Sequence, residues 1–292
     1  MWRYQHLYEA LSKHPRFNVT IVIQPFTGWT ESQKLENSQE LCVYFESKSI
    51  PYLIGTNAEG IILDVKSELK PDLLFYPQPY NGYYPNELSY NRFYNKLLCY
   101  YPYAFWRSKD CWSYDMPLHR TAWKLFYSTE LHRKDARQFA LLNNGRNVEI
   151  VGYPTADDFL SGKYTDVWKP QTAEKKRIIW APHFTIFSGG PITQSNFLWM
   201  AELMLDLAKH YSQKLQFAFK PHPHLFGKLC EHPDWGEEKA KEYYNTWATM
   251  ENTQLDTGEF VDLFMTSDAM IHDSGSFCVE YHYSGNPVMY IA

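Results

Sequence analysis

Val261-Asp262-Leu263-Phe264-Met265-Thr266-Ser267-Asp268-Ala269-Met270-Ile271-His272-Asp273-Ser274-Gly275-Ser276 reads as a short helix, a buried strand and a polar turn in immediate succession. Apolar residues at helical spacing predict a helix over Glu259 to Thr266, and Ala269 to His272 is a strand. Asp273, Ser274 and Ser276 are residue types that accept hydrogen bonds from the free amides at a helix start, and Gly275 lets backbone approach a ligand closely. A helix over Phe277 to Ser284 would present unpaired N–H groups and about half a positive charge to whatever lies before it, which is how phosphates are held without lysine. Gly285-Asn286-Pro287 stops that helix, and Pro287 to Ile291 is a further strand. The plainer alternative is that Ser-Gly-Ser only caps a helix.

Outward from this stretch, helices and strands alternate. On its amino-terminal side lie strand Ile178 to Ala181, helix Ser195 to His210, strand Leu215 to Lys220 and helix Glu237 to Met250. Earlier come helix Arg3 to Lys13 ended by Pro15, the β-branched strand Asn18 to Gln24 closed by Pro25, helix Glu31 to Lys48, and strands at Pro51 to Ile54, Asp72 to Tyr76 and Val148 to Val151. Such alternation implies parallel βαβ units, hence an α/β protein. Residues 152–177 are polar and broken, with no apolar period, and mark a boundary between lobes at 1–165 and 166–292. Sheets of this kind usually begin with a strand. A chain that opens on a helix and closes on a strand reads as an excerpt with its first strand missing.

The 292 residues exceed the usual size of one core, which agrees with two lobes. Hydrophobic residues at 45% and charged residues at 21% describe a chain able to bury a core rather than a disordered one. A formal net charge of -5 without blocks of like charge argues against nucleic acid as a partner. Five cysteines without a C-x-x-C pair point to reduced, buried thiols in a cytoplasmic protein. Neither a secretory signal nor a run of about 18 apolar residues appears. Aromatic residues reach 17%, including 23 Tyr and 10 Trp, enough either to fill the core or to stack on flat, hydroxylated ligands.

Functional groups of a parallel sheet collect at the carboxyl ends of its strands. Three such ends in the second lobe are polar: Ala181-Pro182-His183-Phe184-Thr185, continued by Ser188-Gly189-Gly190-Pro191; Phe219-Lys220-Pro221-His222-Pro223-His224; and the 272–276 turn. Lys220 could neutralise a diphosphate, and His222, aimed outward between two prolines, could donate to a leaving phosphate oxygen or act as a general acid. A metal site built from His183, His222, His224, His272 and Asp273 ranks below this. No metal-ligand spacing supports it, and His222 and His224 in an extended segment would face opposite ways.

The same residues resemble the bacterial CDP-glycerol glycerophosphotransferases, which build teichoic-acid and capsule polymers on a GT-B scaffold. The resemblance spans most of the chain. It is clearest in 261–276 and continues from Glu280 through Pro287. Lys220-Pro221-His222-Pro223 is similar to the family's basic-x-His-Pro element, Ala181-Pro182-His183-Phe184 to its Ala-Pro-Thr-Phe-like loop, and Gly152-Tyr153-Pro154 to its Gly-x-Pro. It implies two Rossmann-type lobes facing a central cleft, the first binding an acceptor and the second a nucleotide-activated donor such as CDP-glycerol. His183, Lys220, His222, Asp262, Asp273, Ser274, Gly275, Ser276 and Glu280 would bind that donor. His222 would be catalytic, and neither a cofactor nor a metal is needed. The acceptor would be a glycan or lipid-linked hydroxyl, and the setting cytoplasmic, with peripheral contact at the inner face of the cell membrane left open. One departure stands out. Cys99-Tyr100-Tyr101-Pro102-Tyr103 occupies the place of the family's His-Gly-Thr-Pro stretch, whose histidine activates the acceptor, so Asp115 and His119 are the replacement candidates. Rival readings are a GT-B epimerase or glycosyltransferase acting on a UDP-sugar, and a non-catalytic nucleotide-binding module.

Overall fold

The structure, a computed structural model, describes residues 2–106, 108–187 and 195–291. The 188–191 segment singled out above therefore lies outside the described residues. Contacts within the chain divide it into two units, Met1–Thr155 and Ala156–Ala292. The division falls earlier than position 165, because Phe159 is buried against the second unit's own aromatics and stacks on Tyr283 at 4.9 Å.

In the first unit, β1 (Ile21–Ile23) and β2 (Tyr52–Ile54) form a parallel pair. β3 (Leu73–Tyr76), β4 (Leu97–Tyr100), β5 (Lys124–Tyr127) and β6 (Val148–Ile150) form a parallel four-stranded sheet in that order. The sequence reading missed β4 and β5, four residues each. Helix Gln5–Ser12 precedes β1, and helix Glu31–Ser47, started by a Thr30–Gln33 capping box, leads to β2.

In the second unit, β7 (Lys176–Ala181), β8 (Leu215–Phe219), β9 (Thr253–Leu255), β10 (Ala269–His272) and β11 (Val288–Tyr290) form one parallel sheet in the order β11-β10-β7-β8-β9. Alternate strand residues point to opposite faces, so each face carries its own core. Trp180, Phe217 and Phe219 pack with Met204 of helix Phe197–His210 and Trp247 of helix Gly236–Thr249. Ile179, Ala218 and Met270 pack with Leu263 and Phe264 of helix Val261–Met265, and with Tyr281. Truncating the fully buried Trp247 to alanine would cost roughly 3–5 kcal/mol.

Most of the largest fully buried side chains are aromatic, so much of the aromatic excess fills cores. The five cysteines are free. Only Cys99 is fully buried and Cys111 is exposed, which corrects the expectation that all are buried. No helix among the described residues is long and apolar enough to cross a membrane.

Candidate functional site

The register of the second sheet decides what its carboxyl edge can do. His272 of β10 pairs with Ala181 of β7, and Trp180 of β7 pairs with Phe219 of β8, so the three polar segments leave adjacent strands at one level. The connecting backbone is tied across the strands. The His222 amide donates to Pro182 O at 3.0 Å, and the Lys220 amide to Trp180 O at 2.8 Å.

Asp273 fastens this edge. It is 3% exposed, and its two carboxylate oxygens accept the backbone amides of His183 and Asn196, each at 2.5 Å. Burial pushes its carboxyl up, against the pull of those amides. Both carboxylate oxygens of Asp273, expected at a diphosphate, are engaged by the loops that carry His183 and Asn196.

The rings of His183 and His222 lie 5.0 Å apart, with Phe184 against His222 at 4.4 Å. His222 is therefore half-buried among rings rather than aimed freely outward. Its Nδ1 accepts the His224 amide at 3.1 Å, which leaves the ring proton on Nε2. Burial holds His222 down at about 3, with His183 and His224 adding to the effect, so the ring is neutral near pH 7. His224 does not point to the opposite face. The chain turns, with the Leu225 amide donating to His222 O, and enters a helix, Leu225–Glu231, that the sequence reading missed; the His222 and His224 rings end 5.3 Å apart. His183 Nδ1 lies 2.9 Å from Thr185 Oγ1.

Lys220 leaves this group. Its ammonium, 5% exposed, contacts Asp256 Oδ1 at 2.6 Å and Gly258 O at 2.7 Å, in the loop after β9, on the side away from β10. The charge assigned to a diphosphate is balanced by Asp256. Sequence reasoning missed Asp256 because nothing local links two residues so far apart along the chain.

The 272–276 turn lies where expected, with Ser274 buried and its Oγ 3.2 Å from His272 Nδ1, and Gly275 and Ser276 half-buried. The helix after it is shorter than expected. Helix Phe277–Glu280 is one turn long, and a 3-10 turn, Tyr281–Ser284, follows before Gly285 at φ +71° ends the element. So short a helix supplies less than the full helix-end charge; what it offers is the donor amides of its first turn. Glu280, on that turn, is completely buried. Asp262 lies in the first turn of helix Val261–Met265, half-buried, on the other core's face of the sheet. Ser267 and Asp268 sit at the opposite, amino end of β10, where Asp268 accepts from Lys176 and from the Arg177 amide.

The two candidates in the first unit have structural work instead. Asp115 is held bidentately by Arg120, at 2.7 and 3.2 Å. His119 is 1% exposed, its Nδ1 accepts the Met116 amide at 3.0 Å, and burial lowers it to about 4, with Asp115 opposing. It caps helix Pro117–Thr121 inside the core. Among the described residues no group of three or more His, Cys, Asp or Glu is arranged to hold a metal ion.

No protein-family model matches the chain, and no curated protein is significantly similar to it. Solved structures are similar in fold. An S. aureus MnaA structure with UDP aligns at a TM-score of 0.60 with 17% identity, covering 99% of this chain and 74% of that one. A Neisseria meningitidis UDP-GlcNAc 2-epimerase bound to UDP-GlcNAc aligns at 0.56 with 18% identity, covering 99% and 78%. The wall teichoic acid polymerase TagF soaked with CDPG aligns at 0.57 with 14% identity, covering 99% and 66%. These neighbours are GT-B proteins, and the likeness shows that this chain has the GT-B type of α/β fold.

Proposed function

We propose that the chain is a GT-B enzyme that binds a nucleotide-activated donor at the carboxyl edge of the second unit's sheet. In this reading it transfers a phospho-polyol such as glycerol phosphate, or a sugar, from a cytidine or uridine nucleotide to a hydroxyl of a surface glycan. The observation that carries the reading is the convergence of His183, His222 and the Ser274–Ser276 turn at the ends of three neighbouring strands. The sequence resemblance over 261–276 and the likeness to TagF support the transferase form.

With Lys220 neutralised by Asp256, the donor's phosphates would rest on hydrogen bonds: the amides of the 274–276 turn, the Ser274 and Ser276 hydroxyls, and the Nε2–H of His222. In glycerol phosphate transfer, the acceptor hydroxyl oxygen attacks the β-phosphorus, the bond from that phosphorus to the bridging oxygen breaks, CMP leaves, and the hydroxyl proton passes to solvent. A neutral His222 suits the leaving group, because a preorganised N–H aimed at the developing charge stabilises it without a prior proton transfer. Asp273 positions the loops of His183 and Asn196 from behind, whereas Glu280, completely buried, and Asp262, on the other core's face of the sheet, do not enter the scheme. Asp115 and His119 do not enter the scheme.

A second reading, a UDP-sugar epimerase, is favoured by the likeness to MnaA and the Neisseria enzyme, and by Cys99–Tyr103 standing where an acceptor-activating histidine would be. Calorimetric titration of CDP-glycerol, CDP, CMP, UDP and UDP-GlcNAc tests both. The double variant Ser274→Ala/Ser276→Ala is expected to weaken nucleotide binding by about 100-fold or more, the loss of two hydrogen bonds to a charged group. Absence of any nucleotide binding defeats both readings. Epimerised product from UDP-GlcNAc alone selects the second; CMP release only in the presence of a hydroxylated acceptor selects the first.

A further inference from the structure

We propose that the loops following β1, β3 and β4 of the first unit form a platform that stacks on the neutral pyranose rings of a glycan. The inference gives the acceptor side of the proposed function a substrate class. It rests on that reading only for what the glycan is used for.

The three loops meet. The Thr27 amide, after β1, donates to Tyr83 O at 3.3 Å, and the Thr27 hydroxyl to Gly82 O at 2.5 Å, both after β3. The Tyr103 amide, after β4, donates to Pro77 O at 3.3 Å. These bonds assemble a contiguous row of rings: Trp29 to Phe26 at 5.9 Å, Phe26 to Tyr83 at 3.9 Å, and Tyr83 to Tyr80 at 4.8 Å. Tyr103, 44% exposed, interacts electrostatically with Tyr83 and Tyr80. The other four rings are half-buried and are absent from the hydrophobic core clusters. Carboxyl ends of parallel strands are where α/β proteins bind ligands, so this row lies where a ligand is expected rather than where a core is built.

The surrounding chemistry selects the ligand. Gln24, Thr27 and Asn81 are neutral hydrogen-bonding groups. Asn81 Oδ1 accepts from Ser89 and Asn91, which turns its NH2 group the other way. Among the described residues, the charges that act on these two tyrosines are Arg3, felt by Tyr103, and Asp110, felt by Tyr80. Burial pushes Tyr80 up to about 12, so its phenol remains a neutral hydroxyl. A polyanion or an anionic bilayer would call for a basic surface, whereas flat rings with amides and hydroxyls at their edges fit the apolar face and hydroxyl rim of a sugar.

Saturation-transfer NMR and calorimetry on the full chain test this with chitotetraose, cellotetraose and maltotetraose, a heparin tetrasaccharide and phosphatidylglycerol vesicles serving as anionic comparisons. At least one neutral tetrasaccharide is expected to bind. Tyr83→Ala and Tyr80→Ala should each weaken it roughly fivefold or more, and Tyr83→Phe by about twofold or less, because the stacking face survives. An unchanged urea midpoint and near-UV circular dichroism in the same variants certify their folding. The platform is overturned if no neutral tetrasaccharide binds, if only the anionic probes bind, or if the alanine variants bind as the parent does. Nucleotide binding without tetrasaccharide binding rejects the platform and leaves the donor site standing; the reverse result rejects the donor site alone.

Discussion

The carboxyl ends of the strands in the two units are built from opposite materials. In the second unit they carry Lys220, His222, Asp273 and Ser274, and most of the charge is spent internally: Lys220 on Asp256, Asp273 on two backbone amides. In the first they carry tyrosines, Phe26 and Trp29, set ring against ring. Their histidines differ likewise. His222 keeps an Nε2–H at a half-buried edge, while His119 is sealed in a core as a helix cap. A polar residue at a strand end is thus no guarantee of ligand contact; what counts is whether its hydrogen-bonding capacity is already taken.

The sharpest way to break that contrast is Lys220→Met. A buried charge stripped of its partner is costly, so Asp256 left alone should lower stability by about 3–5 kcal/mol in urea unfolding. Lys220→Met/Asp256→Leu, which removes both charges, should regain most of it while binding nucleotide within about threefold of the parent. Should Lys220→Met instead unfold normally and lose CDP-glycerol affinity, the lysine is a phosphate ligand and the account of this edge fails.

This pair also marks the limit of what was legible in the sequence. The second unit's strands and long helices were read from apolar runs such as Arg177-Ile178-Ile179-Trp180-Ala181 and from the period of Phe197–His210. β4, β5 and β9, of three or four residues, offered too short a period to separate from their surroundings. The Asp-Ser-Gly-Ser turn was found because helix starts have a residue signature. The commitments of Asp273, Lys220 and His119 were not, because each depends on a partner brought close only by the sheet's register or by core packing. Even the bend that brings His224 back to His222 required the unrecognised helix Leu225–Glu231.

The next effect in size separates the histidines by pH. His119 stands at about 4 in the folded chain, below its ordinary 6.5, so the unfolded state takes up the proton first as pH falls. Its contribution is fully present above pH 6.5 and is lost between 6.5 and about 4, by roughly 3 kcal/mol in all. His119→Gln should remove that part of the slope in urea midpoints measured from pH 7.5 to 4.5. Identical slopes in variant and parent would mean that His119 is not the buried neutral cap described.

The smallest effect concerns His222 and is read in affinity. Its protonated form is disfavoured by burial and by neighbouring histidines, but an adjacent diphosphate would favour the charged ring and raise its pKa from about 3. Binding then takes up a fraction of a proton, so affinity strengthens as pH falls. CDP-glycerol is the right probe, because its diphosphate diester stays fully ionised through this range and contributes no titration of its own. Between pH 7.5 and 5.5 its affinity should rise about two- to threefold in the parent and stay flat in His222→Gln. A flat parent profile would put His222 beyond reach of the phosphates, leaving the 274–276 turn as the donor's remaining anchor and making the second unit's edge as reticent toward charge as the first.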